Sequence, residues 1–308
     1  MSQAVRRALV IKHGALGDIF LILGALQDIA EATGAPVDVL TMSPYVKIFK
    51  RSPHVNRVFV DNRQSRLNPW YLCELRRMFS DGAYDQIIDL QNSKRTLFYR
   101  KFIAPKLNWC QLGMIPPTEF VSQTISSPVL AKAATQLGNC SIGTENLLRG
   151  DLEWLCDDSE AVSRVSESRC PVILLPGASA AHTHKIWPRY AELAELLIKE
   201  GVDVFVAPGP DDMELCKSIS GRQLLSGERW LDFFQLAGVL AKAKFVVGND
   251  SGPTHLAASL GTKGVALFSQ RTSQYAPNMA RKQMGVMVSN ELSEISAESI
   301  LDLIKALD

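Results

Sequence analysis

The chain has 308 residues, 46% of them apolar, and a formal net charge of +1. That length exceeds one typical domain and points to two, and the apolar fraction excludes a wholly disordered chain. The charge is uneven: residues 1–110 carry +7 and the remainder −6. The first half therefore either suits an anionic partner, such as a phosphorylated glycolipid or a membrane surface, or is a solvated basic face.

Cysteines at 73, 110, 140, 156, 170 and 216 show no close ligand spacing. Neither a zinc site nor a redox motif is indicated, and no disulfide framework is expected. With no signal-peptide pattern, this composition points to a reducing cytoplasm. The apolar stretch from Ile19 to Ala30 contains Gln27 and Asp28 and is too short to span a bilayer.

Strand and helix patterns alternate from the start. Ala8–Lys12 reads as a strand, residues 13–17 as a turn, and Asp18 opens a helical run with Ile19, Leu23, Leu26 and Ile29. Strands at 37–41, 55–60 and 84–89 follow, with helices around 45–51 and 70–79 between them. Pro116-Pro117 marks a less regular stretch, with a helix near 129–137. The polar, Ser-rich segment 157–169 reads as the interdomain linker, placing the boundary after residue 160. The alternation then restarts: strands at 171–176, 202–207, 245–248 and 265–269, helices at 188–200, 230–241 and 255–260, and a terminal helix from Ser293 to Leu307. Repeated strand–helix units mean parallel sheets with helices on both faces.

Three loops follow strands and enter helices, where ligands bind in such sheets. The first, Lys12 to Asp18, has glycines at 14 and 17. It matches neither the dinucleotide fingerprint nor a P-loop. Spacing alone favours Asp18 as a helix cap; a general base is the open alternative. The second, Pro176 to Pro188, offers Ser179 and Thr183 as hydroxyl donors and Lys185 as a counter-charge for a diphosphate. Trp187 anchors it, and Pro188 stands at the first helical position. His182 and His184 read as solvated loop residues rather than a metal pair. The third, Gly248 to Ala257, leads into a helix whose N-terminus suits a pyrophosphate, with Gly252 permitting close approach and Ser251 and Thr254 offering hydroxyls. Asp250 and His255 complete its polar set. In the basic half, Arg63, Arg66, Lys94, Arg95, Arg100 and Lys101 sit near strand-to-helix loops and could grip an anionic acceptor.

Lys-x-Gly-x-x-Gly-Asp at 12–18, Lys-x-Trp-Pro at 185–188 and Asp-Ser-Gly-x-x-His-Leu at 250–256, in this order and separation, resemble the glycosyltransferase family 9 heptosyltransferases. The resemblance implies a GT-B fold: two Rossmann-like, doubly wound parallel-sheet domains facing across a cleft, residues 1–160 for the acceptor and 161–308 for the donor. The terminal helix would pack back on the first domain. The resemblance further implies inverting transfer of a sugar, heptose, from a nucleotide-diphosphate donor, ADP-heptose, to an inner-core lipopolysaccharide acceptor. It makes Asp18 the catalytic carboxylate and Lys185 the donor-phosphate lysine. Gly17, Ser179, Asp250, Ser251, Gly252, Thr254 and His255 join the donor set, and Arg63, Arg66, Lys94 and Arg95 the acceptor set. Ser251 stands where the family more often has Thr, and Pro253 where Leu is common.

No Asp-x-Asp pair occurs in the sequence, so neither metal nor other cofactor is expected, and no nucleic-acid partner. The expected location is the cytoplasm, with peripheral contact at the inner membrane. Two other readings fit the same loops: a nucleotide-sugar epimerase and a non-catalytic nucleotide-binding protein.

Overall fold

The computed structural model describes residues 7–112 and 125–306. Pro116-Pro117 and Leu307 lie outside the described residues. The chain divides into two compact units, Met1–Trp154 and Leu155–Asp308, a few residues before the expected boundary.

In the first unit, β1 (Ala8–Ile11), β2 (Val37–Thr41), β3 (Val55–Val60), β4 (Gln86–Asp89) and β5 (Trp109–Cys110) form one parallel sheet in the order β3-β2-β1-β4-β5. The helices are α1 (Leu16–Thr33), α2 (Val46–Arg51), α3 (Pro69–Asp81), α4 (Lys94–Phe98), α5 (Pro128–Asn139) and α6 (Glu145–Arg149). The chain winds outward from β1 to β3, then returns to the other side of β1 with β4. The switch point is therefore between β1 and β4.

α1 is apolar nearly all round, and the fold uses this by burying it between the sheet and α5 and α6. Gly24 lets α6 approach, since a Cβ there would lie 1.9 Å from the Asn146 carbonyl oxygen. Asp28, polar in an otherwise buried run, accepts from the backbone amides of Asn146 and Leu147 at the start of α6. Burial pushes its carboxyl up and those amides oppose the shift. Gly34, at φ 74°, closes the helix in the left-handed conformation.

The second unit holds α7 (Glu160–Ser166), β6 (Pro171–Leu175), α8 (Tyr190–Lys199), β7 (Asp203–Val206), α9 (Met213–Lys217), β8 (Arg222–Gln223), the hairpin strands β9 (Leu225–Ser226) and β10 (Arg229–Trp230), α10 (Phe233–Lys242), β11 (Phe245–Asn249), α11 (Gly252–Leu260), β12 (Gly264–Ser269), β13 (Met284–Ser289) and α12 (Ala297–Ala306). Its six-stranded sheet is also parallel, in the order β13-β12-β11-β6-β7-β8. The switch point falls between β6 and β11. Among the described residues, no helix is long and apolar enough to cross a membrane.

Three expectations need correction, and the terminal helix gains a definite partner. The segment read as a linker contains α7, capped by the Ser159 side chain and packed on α10 through Ala161, Val162 and Val165. Three apolar residues on one short turn suffice to dock it. α12 packs on α8, its Ile300, Leu301 and Ile304 entering the same core as Leu193 and Leu197. Its apolar stripe is thus used within the second unit. Cys110 and Cys140 are joined in a disulfide, because the end of β5 meets the end of α5, a proximity that 30 intervening residues conceal. α8 begins at Tyr190 rather than Pro188, which lies in a preceding turn.

Candidate functional site

Each unit gathers its polar loops at its own switch point. In the first, the loops after β1 and β4 meet: the Gln91 side-chain oxygen accepts from the amides of His13 and Gly14 at 2.9 and 3.2 Å. α1 starts at Leu16 with Ala15 as N-cap, so Gly17 and Asp18 both lie in its first turn. Asp18 makes no capping bond, and the cap reading is thereby corrected. Its side chain is 40% exposed, with Oδ2 3.5 Å from the buried Lys12 ammonium. Burial pulls the Lys12 pKa down, and Asp18 opposes that pull.

Beneath this loop lies a network that the sequence did not announce. Asp61, buried at the end of β3, accepts from the Tyr71 and Tyr99 hydroxyls, each at 2.5 Å, and from the Arg63 amide at 2.7 Å. His13 Nε2 stands 2.9 Å from the same carboxylate, an ion-pair distance without hydrogen-bond alignment. Burial alone would raise the Asp61 pKa, but His13, Tyr71 and Tyr99 outweigh it and hold the carboxyl well below its usual range. Arg95 closes the network, donating to Tyr99, Tyr71 and the Gln64 carbonyl. The four acceptor-set residues do come together: Arg66 donates to the Lys94 carbonyl, and Arg63, Arg66 and Lys94 are exposed. Arg95 differs, because two phenol oxygens draw it inward and leave its side chain only 12% exposed. A buried Asp at a strand end and two tyrosines 28 residues apart carry no local pattern that would have linked them.

In the second unit, the loops after β6 and β11 meet. Lys185 Nζ donates to Asp250 Oδ2 at 2.6 Å and stands 5.9 Å from the centre of the Tyr275 ring. His255 Nε2 lies 3.8 Å from Asp250 Oδ1. α11 begins at Gly252 with Ser251 as N-cap, and Ser251 makes no capping bond with its side chain. The Gly252 amide thus stands at the positive end of a helix, while Pro253 has none to offer. Thr254 departs from expectation: it is fully buried, its hydroxyl 3.2 Å from that of Ser251. Gly248 makes room for it, since a Cβ there would meet the Thr254 hydroxyl at 2.3 Å. Thr254 therefore orients Ser251 from below. Ser179 is exposed and contacts His182 Nδ1 at 2.8 Å. His182 and His184 are exposed, as is Thr183.

Asn249 fastens the two loops. Buried at the end of β11, it accepts from the Trp187 amide and the Tyr190 hydroxyl, each at 3.1 Å, and donates to the Pro176 carbonyl at 2.7 Å. Trp187 is buried and donates to the Ile295 carbonyl, as befits the expected anchor. Asp211 and Asp212 hold the β6 loop from its other side, through the Ala180 amide and through close packing of Asp212 against Gly177. Asn249→Ala takes this partner from the buried Trp187 amide and Pro176 carbonyl, each loss costing about 1–3 kcal/mol, while the Tyr190 hydroxyl keeps the Leu175 carbonyl. A loss of unfolding free energy of that order, read as a lower urea midpoint, is expected, and an unchanged midpoint would remove Asn249 as the fastener.

Two doubly wound parallel-sheet units of this kind define the GT-B class. The family model for glycosyltransferase family 9 (heptosyltransferase) matches residues 145–305, just over half of the sequence, and the chain belongs to that family. Lipopolysaccharide heptosyltransferase 2 of Escherichia coli K12 is 33% identical over 144 residues, 43% of this chain; the matched stretch spans only 39% of that relative. Among solved structures, a family 9 glycosyl transferase from Veillonella parvula superposes with a TM-score of 0.77 at 18% identity, covering 100% of this chain and 98% of the other. An E. coli heptosyltransferase solved with ADP gives 0.73 at 19%, covering 98% and 100%. These two likenesses speak for the fold.

Proposed function

We propose that the protein is an inverting glycosyltransferase that moves heptose from ADP-heptose to an inner-core-type lipopolysaccharide acceptor, at the cytoplasmic face of the inner membrane. The observation that carries this reading is the pairing of Lys185 with Asp250 beside the open end of α11. A cation, the Gly252 amide at the helix end and the Ser251 hydroxyl form a cradle for a diphosphate. The resemblance in donor-loop motifs and the relatives named above point to ADP and heptose.

In the proposed reaction, Asp18 takes the proton from an acceptor hydroxyl as that oxygen attacks the anomeric carbon. The bond to the diphosphate breaks with its electron pair passing to the leaving oxygen, and the configuration at carbon inverts. Lys185 and the Gly252 amide carry the charge that develops on the diphosphate. Lys12 holds the Asp18 carboxylate from its buried side. Arg63, Arg66 and Lys94 receive the anionic groups of the acceptor.

With a lysine and a helix N-terminus supplying the positive charge, transfer needs no metal. Activity is expected to survive EDTA, and full loss reversed by a divalent ion would count against this mode. Lys185→Ala is expected to weaken ADP binding by roughly tenfold or more, the scale of a lost charge-assisted contact. Calorimetric titration with ADP reads this directly. Wild-type affinity in the variant would take Lys185 out of the donor site.

A further inference from the structure

The proposed acceptor is carried in a bilayer, and the inference that follows rests on that reading. One surface of the first unit has chemistry that nothing so far has used. Leu67 is 91% and Trp70 84% exposed, at the tip where the loop after β3 turns into α3. The Asn68 side chain caps that helix by accepting from the amides of Trp70 and Tyr71, so the tip is a rigid turn. Beside it, Arg66 lies 5.0 Å from the centre of the Phe98 ring, and Phe98 lies 5.2 Å from Phe102, which is 59% exposed. Arg76 on α3 donates to the Phe102 carbonyl and ties the two elements into one face. Segments 63–80 and 94–106 together hold nine lysines and arginines and a single acidic residue, Glu74.

Exposed Trp and Leu on a fixed turn cost solubility, and their exposure shows little packing return among the described residues. Ringed by cations, they match an interface where an apolar layer lies under a negative one. Indole and aliphatic groups settle at the headgroup–acyl boundary while arginine and lysine pair with anionic lipid phosphates. A purely electrostatic acceptor grip would need the arginines but not Leu67 and Trp70. We infer that this face is a membrane-docking surface: Leu67, Trp70 and Phe102 insert shallowly into a bilayer rich in anionic lipid, and Arg76, Arg77 and Lys101 hold its headgroups.

The test uses the full chain and vesicles of phosphatidylcholine alone or mixed with phosphatidylglycerol, both free of glycolipid, with co-sedimentation as the readout. ADP-induced thermal stabilisation of the same samples reports the donor site separately, so a failure of docking is distinguishable from a failure of the transferase reading. The wild type is expected to bind the mixed vesicles and not the neutral ones, and to be released by salt. Leu67→Ala with Trp70→Ala should lower partitioning about tenfold with the melting temperature unchanged. Arg77→Gln with Lys101→Gln should lower it roughly fivefold for each charge removed. Undiminished binding of the Leu67/Trp70 variant overturns the proposal. So does binding that appears only when acceptor glycolipid is added, which would make the face an acceptor subsite. A wild-type dimer that Trp70→Ala dissociates would likewise overturn it, because a second copy would then cover the face.

Discussion

Asp18→Asn is expected to lower turnover by roughly 10²–10⁴-fold, the usual contribution of a general base, while ADP still raises the melting temperature. The reasoning is local. Asp18 makes no helix-capping bond and presents a partly exposed carboxylate from the first turn of α1. Its amide isostere keeps the shape and loses the proton-accepting charge. The side effect is on Lys12, a buried ammonium whose Asp18 partner would become neutral. A modest loss of stability is therefore expected alongside, and a denaturation curve separates it from the kinetic effect. Turnover within a few-fold of wild type would remove Asp18 as the base.

The second large effect is on folding. Asp61→Ala removes the shared acceptor of Tyr71 and Tyr99 and leaves Arg95 and His13 facing a void. Breaking a buried charged network by deleting one partner costs about 3–5 kcal/mol, a large part of the stability of a typical domain. Tyr71→Phe and Tyr99→Phe remove one donor each and should cost less. The pH dependence has a definite sign. The folded-state pKa of Asp61 is depressed, so its contribution is complete above the unfolded value of about 3.9 and is lost as pH falls below it toward the folded value. Urea midpoints measured from neutral pH down through that range should fall more steeply for wild type than for Asp61→Asn. Parallel curves would mean the network does not carry that stability.

The network also bears on the site. It ties together the loops after β1, β3 and β4, through His13, Asp61 with Arg63, and Arg95 respectively. Those segments carry or adjoin Asp18 and the basic residues proposed to meet the acceptor. A loosened network should therefore show in acceptor KM before it shows in ADP affinity, since the donor cradle is built from β6 and β11 in the other unit.

The sequence by itself determined the strand–helix alternation. Val37–Thr41 and Val55–Val60 are short apolar-rich runs between turn residues, and both strands appear with the bounds expected. It also singled out the loops after β1, β6 and β11, and the structure puts each of these at a switch point, where doubly wound sheets bind ligands. What escaped it was every feature that depends on which distant segments touch. β13 is a half-exposed edge strand with weak patterning, and β5 has only two residues. The Asp61 network, the Asn249 fastener, the Cys110–Cys140 bond and the inward turn of Thr254 and Arg95 each join positions that no local periodicity relates. Hydrophobic pattern is a property of a segment, whereas burial of a polar group is decided by its partners, and only the tertiary structure supplies those.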